Sequence, residues 1–283
     1  MLIYLLYSRP EAQRPRAEPY IELYRDAARR LGVTLELHFV EDFVPGYSGP
    51  VFGGAAPCGI DLPALLPDAV IFRTVHVPLS YALEARGVRC FNSARTAELC
   101  NDKAKTLEAV KALGVPTLAY DLGVSGEVCP RELPCVVKPL HGSGGRDVLL
   151  ARDEAEYQAA AERLRGQPFM VQELCGQPGR DVRVYVLGKK ILTAMERVSG
   201  GDFRSNYNLG GTAQLYTLSK AERTLVERVT AGFDLGLCGV DFLFHQGGWV
   251  LNEMEDVVGS RMVYDFTDIQ VVWEYMRWIL QQV

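Results

Sequence analysis

The sequence predicts an α/β (α+β) chain, in which a small parallel α/β unit is followed by a larger, mainly antiparallel part. Two observations carry this. Residues 1–92 alternate short apolar runs with helical periods, the pattern of strands joined by crossover helices. From Pro134 onward, short strand-like runs meet at glycine turns, interrupted by helices near 153–165 and 220–235. The 283 residues, 48% hydrophobic and 23% charged, can bury such a core without disulfide or metal staples.

Taken in order, Leu2 to Tyr7 reads as a buried strand and Ala17 to Leu31 as an amphipathic helix stopped by Gly32. Val33 to Val40 is the next strand. The Gly- and Pro-rich segment 44–68 reads as a long loop, a feature that in a compact domain is often functional. Ala69 to Phe72 is a strand, Leu79 to Arg86 a helix and Val88 to Phe91 a strand. A helix with Asn101 or Asp102 as N-cap follows, closed by Gly114 and Pro116. Its first turn holds Lys103 and Lys105, where the helix dipole disfavours cations, so one of them is expected to serve something else. The helix at 220 opens with the capping box Ser219-Lys-Ala-Glu222. A last helix from about Asp268 is expected to pack Val272, Trp273, Met276 and Ile279 inward. Three parts result: 1–92, 93–168 and 169–283.

Composition narrows the function. A net charge of −5 gives no global field for nucleic acid or an anionic membrane. The apolar start, Met1 to Tyr7, is too short for a membrane span and lacks a signal-peptide pattern, so the expected location is cytoplasmic. Seven cysteines without a C-x-x-C pair argue against a zinc site or a disulfide framework. Ser8-Arg9-Pro10, after the first strand, has no glycine to admit a pyrophosphate, which argues against a nicotinamide enzyme.

Three stretches carry chemistry. In Cys135-Val-Val-Lys138-Pro-Leu-His-Gly142-Ser143-Gly144-Gly145, a strand ends in a lysine and a glycine-rich loop. Such a loop lets backbone N–H groups crowd a phosphate while the lysine adds a point charge. A Walker loop has the opposite order, and no G-K-[ST] exists in the chain. The second stretch is the hairpin Gly239-Val-Asp241-Phe-Leu-Phe244 to Trp249-Val-Leu-Asn-Glu253-Met-Glu255. Glu253 and Glu255 share a strand face, and a three-residue loop (Gln246 to Gly248) places Asp241 across from Glu253, whereas a two-residue turn places it across from Asn252. Three converging carboxylates need a cation, and oxygen ligands suit Mg²⁺ or Mn²⁺. Third, Phe169-Met-Val-Gln172-Glu173-Leu174 could offer an adenine its backbone pair and apolar slot, and Asp181 a carboxylate to a ribose. Arg183, Arg197 and Arg204 lead into the loop 199–211, which contains Asn206, and point to an anion site. Arg73, at a strand end, is the candidate for a substrate carboxylate.

Together these residues resemble the ATP-grasp superfamily, most closely the RimK-type glutamate ligases and the related amino-group-carrier lysine-biosynthesis ligases. The resemblance runs from about Asn92 to Gly259 in unbroken order: Asn92-Ser-Ala-Arg, Asn-Asp-Lys103, Val-Val-Lys138-Pro, the glycine loop, Val-Gln-Glu173, Gly-x-Asp181-x-Arg183, Glu196-Arg197, Asp202-Phe-Arg204-Ser-Asn206, Gly210-Gly211, Gly-Val-Asp241 and Asn-Glu253. It implies an N-terminal pre-ATP-grasp domain followed by the two ATP-grasp subdomains. It also implies an ATP- and Mg²⁺-dependent ligase that joins a carboxylate to an amine through an acyl-phosphate and releases ADP. Lys103 and Lys138 would hold the α/β phosphates beside Gly142, Ser143, Gly144 and Gly145. Gln172, Glu173 and Leu174 would form the adenine hinge, with Asp181 on the ribose. Asp241, Glu253 and Glu255 would hold two metal ions. Arg183 and Arg204, catalytic together with Lys138, would face the transferred phosphate and the acyl substrate; Arg73, Arg197, Arg204 and Asn206 are the substrate candidates. The partners implied are small-molecule carboxylates and amines, an amino acid or peptide terminus among them, with a homo-oligomer left open. A kinase on the same fold and a non-catalytic ATP-binding module are the alternatives. Two departures stand out: the usual Glu-x-Asn-x-x-Pro-Gly reads Glu253-Met-Glu255-Asp-Val-Val-Gly259, and Asn208-Leu209 stand where basic residues are common.

Overall fold

A computed structural model of the chain describes residues 1–53, 59–124, 132–142, 144, 145, 147–205 and 211–283. Ser143 and Asn206, both expected site residues, lie outside them, as do Asn208 and Leu209.

The N-terminal unit holds β1 (Leu2–Tyr7), α1 (Arg9–Ala12), α2 (Ala17–Leu31), β2 (Thr34–Phe39), α3 (Val40–Phe43), β3 (Ala69–Phe72), α4 (Val77–Glu84), β4 (Arg89–Phe91) and α5 (Ala94–Cys100). Its four strands are parallel in the order β2-β1-β3-β4. Strand alternation divides the side chains between two layers. Ile3, Leu5 and Ile71 face a core completed by α2, whereas Tyr4, Leu6, Val70 and Phe72 face one completed by α3 and α4. α2 stops where the sequence places its stop, with Gly32 in the left-handed region at φ 68°. α4 starts two residues before the expected Leu79, because the His76 imidazole Nδ1 caps it by accepting from the Leu79 N–H at 3.0 Å.

The middle part comprises α6 (Lys103–Ala112), β5 (Tyr120–Val124), β6 (Cys135–Pro139), β7 (Leu149–Ala151), α7 (Glu154–Arg163) and β8 (Pro168–Glu173). Asp102 is the N-cap of α6, accepting from the Ala104 and Lys105 N–H groups. The four strands form an antiparallel sheet in the order β5-β8-β6-β7. Cys135, Val137, Phe169 and Val171 pack against α7, so alternation turns Val136, Lys138, Met170 and Gln172 to the opposite face.

The last part holds β9 (Arg180–Leu187), β10 (Lys190–Val198), β11 (Thr212–Leu215), α8 (Lys220–Gly232), β12 (Leu237–His245), β13 (Gly248–Glu255), α9 (Arg261–Phe266) and α10 (Val271–Ile279). Its antiparallel sheet has the order β11-β10-β9-β12-β13. One face, with Val182, Val184, Val240 and Phe242, packs on α6 and α8. The other is divided along β9: Tyr185 and Leu187 join the N-terminal core with α10, and Asp181 and Arg183 carry charge. α10 buries Val272, Met276 and Ile279 as expected, and Trp273 lies at its edge with Arg30 over the ring, 4.0 Å from the centroid.

Candidate active site

The two antiparallel sheets face one another across a cleft. Val136, Lys138 and Gln172 line it from the four-stranded sheet, and Asp181, Leu243 and Glu253 from the five-stranded one. Lys103, at the first position of α6, turns from its own helix dipole and donates to the Gly142 carbonyl of the glycine loop at 3.1 Å. Lys138 reaches across the cleft to Asn252 Oδ1 at 3.2 Å. Each ammonium has three donors and spends one on the described residues. Burial lowers the pKa of both; for Lys138, burial and the like charge of Lys103 bring it down to about 8. Gln172 is 2% exposed, and its amide nitrogen has no partner among the described residues. Glu173 and Leu174 follow it along the cleft wall, where Glu173 meets His245 at 3.5 Å. Gly142, Gly144 and Gly145 have φ values of 122°, 77° and 71°, a backbone that only glycine adopts without strain. Arg204 ties this loop to the opposite sheet: it is gripped by Asp202 and donates to the Gly145 carbonyl at 2.8 Å.

Behind the cleft lies a ladder of alternating charge. Register places Arg197 across from Asp181, Arg183 across from Asp241, and Asp241 across from Glu253. Arg183 grips Asp241 through two 2.7 Å bonds, and Arg197 adds a third, also at 2.7 Å. Arg197 pairs with Asp181 at 2.7 and 2.5 Å. Arg183 also pairs with Glu255. Desolvation would raise the pKa of Asp241, but the two guanidiniums overcome it and hold the carboxyl at about 2. For Asp181 desolvation prevails over Arg197 and the pKa is raised. Gly239 makes room for the grip: a Cβ there would stand 2.8 Å from Val258 Cγ2 and 3.3 Å from Arg183 Cδ.

The hairpin reaches the three-residue-loop alignment by another route. Its turn has two residues, since His245 pairs with Gly248. That register would oppose Asp241 to Asn252, but a β-bulge at Asn252 shifts it by one and restores Asp241 to Glu253. The bulge also brings Asn252 to Lys138, a contact the sequence reading missed.

A RimK-like ATP-grasp domain matches residues 127–279, more than half of the chain. The chain belongs to the RimK-like ATP-grasp family. It is accordingly an ATP-grasp ligase, an enzyme that joins a carboxylate to an amine. A protein of Mannheimia succiniciproducens named probable alpha-L-glutamate ligase is 30% identical over 239 residues, which cover 78% of this chain and 80% of that one. Further relatives of the same printed name are matched over 62% to 69% of their own length. Among solved structures, the RimK domain ATP-grasp protein of Sphaerobacter thermophilus superposes with a TM-score of 0.75 at 20% identity, covering 98% of this chain and 99% of that one. The ATP-grasp ligase PsnB, complexed with minimal precursor, Mg and ADP, does so with a TM-score of 0.69 at 18% identity, covering 100% and 97%. Both share the fold.

Within that family frame, the cleft gathers Lys103, Lys138, Gly142, Gly144, Gly145, Gln172, Glu173, Leu174, Asp181, Arg197, Arg204 and Glu253. Arg183, Asp241 and Glu255 are not among its lining residues, and Arg73 lies at the N-terminal sheet. Asp241 stands across from Glu253 as expected, with guanidiniums on both of its oxygens, and among the described residues no group of three His, Cys, Asp or Glu side chains is close enough to hold a metal ion. Asn92, which opens the family-like stretch, has a mechanical role. Its amide donates to the Leu237 and Asp256 carbonyls at 2.9 and 2.8 Å and accepts from the Gly236 N–H, tying the first unit to both ends of the hairpin. No helix among the described residues is long and apolar enough to cross a membrane.

Proposed function

We propose that the chain activates a substrate carboxylate as an acyl-phosphate at the expense of ATP, releases ADP, and joins the acyl group to the amine of an amino acid or peptide terminus. The observation that carries this is the set of unused donors around one cleft: Lys103, Lys138 and the buried Gln172 amide, with a glycine loop beside them. Phosphate oxygens accept from ammonium groups, and an adenine ring nitrogen would satisfy Gln172. Lys103 and Lys138 would hold the phosphates, and Leu118, Val136 and Leu243 would sandwich the base. Asp181, already bound to Arg197, keeps lone pairs for a ribose hydroxyl.

Glu253 and Asn252 at the cleft, with Asp241 and Glu255 behind them, are the oxygen donors that would hold Mg²⁺. When bound, the ion would neutralise charge on the phosphate oxygens. Catalysis by the chain's own residues is then positioning and charge neutralisation, with Arg183 and Arg204 bringing guanidiniums to the anionic centre and the loops around 142–145 and 199–205 excluding water. The relatives' printed name supports glutamate as the first amino acid to try. The test is ADP release from Mg-ATP with L-glutamate and other amino acids and small acids, offered singly and in pairs. Release that needs both an acid and an amine is expected. AMP as product, or a stable phosphorylated acid formed without amine, would sink the reading.

A further inference from the structure

We propose that Arg73 builds, at the carboxyl ends of β1 and β3, a site for a carboxylate of the substrate that does not react. This rests on the ligase reading above. The strand order β2-β1-β3-β4 reverses direction between β1 and β3, and in open parallel sheets ligands bind in the crevice at that switch. Arg73 directly follows β3 there, and its N–H is fixed on the Leu6 carbonyl at 2.8 Å.

Its side chain lacks a carboxylate partner among the described residues. The guanidiniums of the charge ladder, Arg183 and Arg197, each grip carboxylates. No described carboxylate pairs with Arg73. Both terminal nitrogens share one carbonyl, that of Val258, at 3.2 Å each, and Nε is buried without a partner among the described residues. The rest of its surroundings is phenolic: it stands 5.2 Å from the Tyr20 ring centroid, Tyr7 hydrogen-bonds to it, and Tyr24 lies close by. A five-donor fork in so apolar a setting is matched by a planar, two-oxygen anion.

The position ties this fork to the reaction. Val258 lies between the two arginines: its carbonyl accepts from Arg73, and its Cγ2 closes on Gly239 beside Arg183. Arg73 is thus on the far side of Val258 from Arg183 and the other charges of the ladder behind the cleft. It holds the remote end of a molecule whose reactive end reaches them, so the substrate carries a second carboxylate or is an amino acid.

The test uses the full chain saturated with Mg-ADP and measures calorimetric binding of L-glutamate and its two monoamides, glutamine and isoglutamine. Glutamate and one monoamide should bind, and the other should bind about 10²-fold more weakly, which identifies the carboxylate held. Arg73→Met should bind all three about equally weakly with ADP affinity unchanged, and Arg73→Lys should recover part of the glutamate affinity. Glutamate binding that is absent in the wild type, or as tight in Arg73→Met, overturns the proposal. Glutamate bound through Arg73 without amide formation would break the ligase reading alone. Amide formation with an unchanged KM in Arg73→Met would break this proposal alone.

Discussion

The cleft and the charge ladder behind it are built from the same residue types to opposite ends. In the cleft, Lys103, Lys138 and Gln172 are buried with donors to spare. In the ladder, both oxygens of Asp241 are closed by guanidiniums, and Asp181 is gripped by Arg197. Buried polar groups cost free energy unless paired. The cleft therefore stores an affinity that a polyanion can release, while the ladder compensates itself and gives the sheet its register. A ligand belongs to the first region; the second holds the scaffold and can yield only where one partner exchanges for another.

Removing a cleft carboxylate should affect turnover and spare folding. Glu253→Gln is expected to lower kcat by about 10³-fold with an unchanged melting curve, measured by ADP release and calorimetry. Removing a ladder partner should cost stability as well as turnover. Arg183→Met leaves Asp241 short of charge and should cost about 3–5 kcal/mol in urea denaturation, whereas Arg183→Met combined with Asp241→Asn should cost less than the two single changes summed. Gly239→Ala pushes a methyl into Val258 and Arg183, for an expected loss of about 1–3 kcal/mol in the same assay. Gln172→Leu should raise the KM for ATP about 10-fold, since it removes a donor and leaves the apolar walls in place.

The smallest effect is one of pH. Burial lowers Lys138 from its usual 10.5 to about 8. Between those values the unfolded chain keeps a proton that the folded chain has lost, so this group's contribution to stability rises with pH across that window. Binding of a phosphate runs the other way, because it needs the charged lysine. ADP affinity should be flat below about pH 8 and roughly 10-fold weaker at about pH 9, with proton uptake on binding. Titration calorimetry in buffers of different ionisation heat checks this, and Lys138→Met should abolish it.

How far the sequence reached follows the same division. Local signals were legible: Gly32 as a stop, the Ser219 and Asp102 caps, and the strand alternation that turns Lys138 and Gln172 the same way. The short helices α1, α3 and α9 have too few turns to leave a period. The bulge at Asn252 and the pairing of Arg183 with Asp241, 58 residues apart, depend on register between strands, which no local pattern encodes. The neighbouring carboxylates of the acidic hairpin are visible in sequence, whereas their pairing with Arg183 and Arg197 is not. Ser143 and Asn206 lie outside the described residues.

One isotope measurement bears most directly on the reaction. A substrate acid labelled with ¹⁸O in its carboxylate, supplied with Mg-ATP and the amine, should transfer one labelled oxygen to the released inorganic phosphate, because the acyl-phosphate bridge is cleaved on the carbonyl side. Label in AMP, or phosphate free of label while amide accumulates, would contradict an acyl-phosphate formed in this cleft.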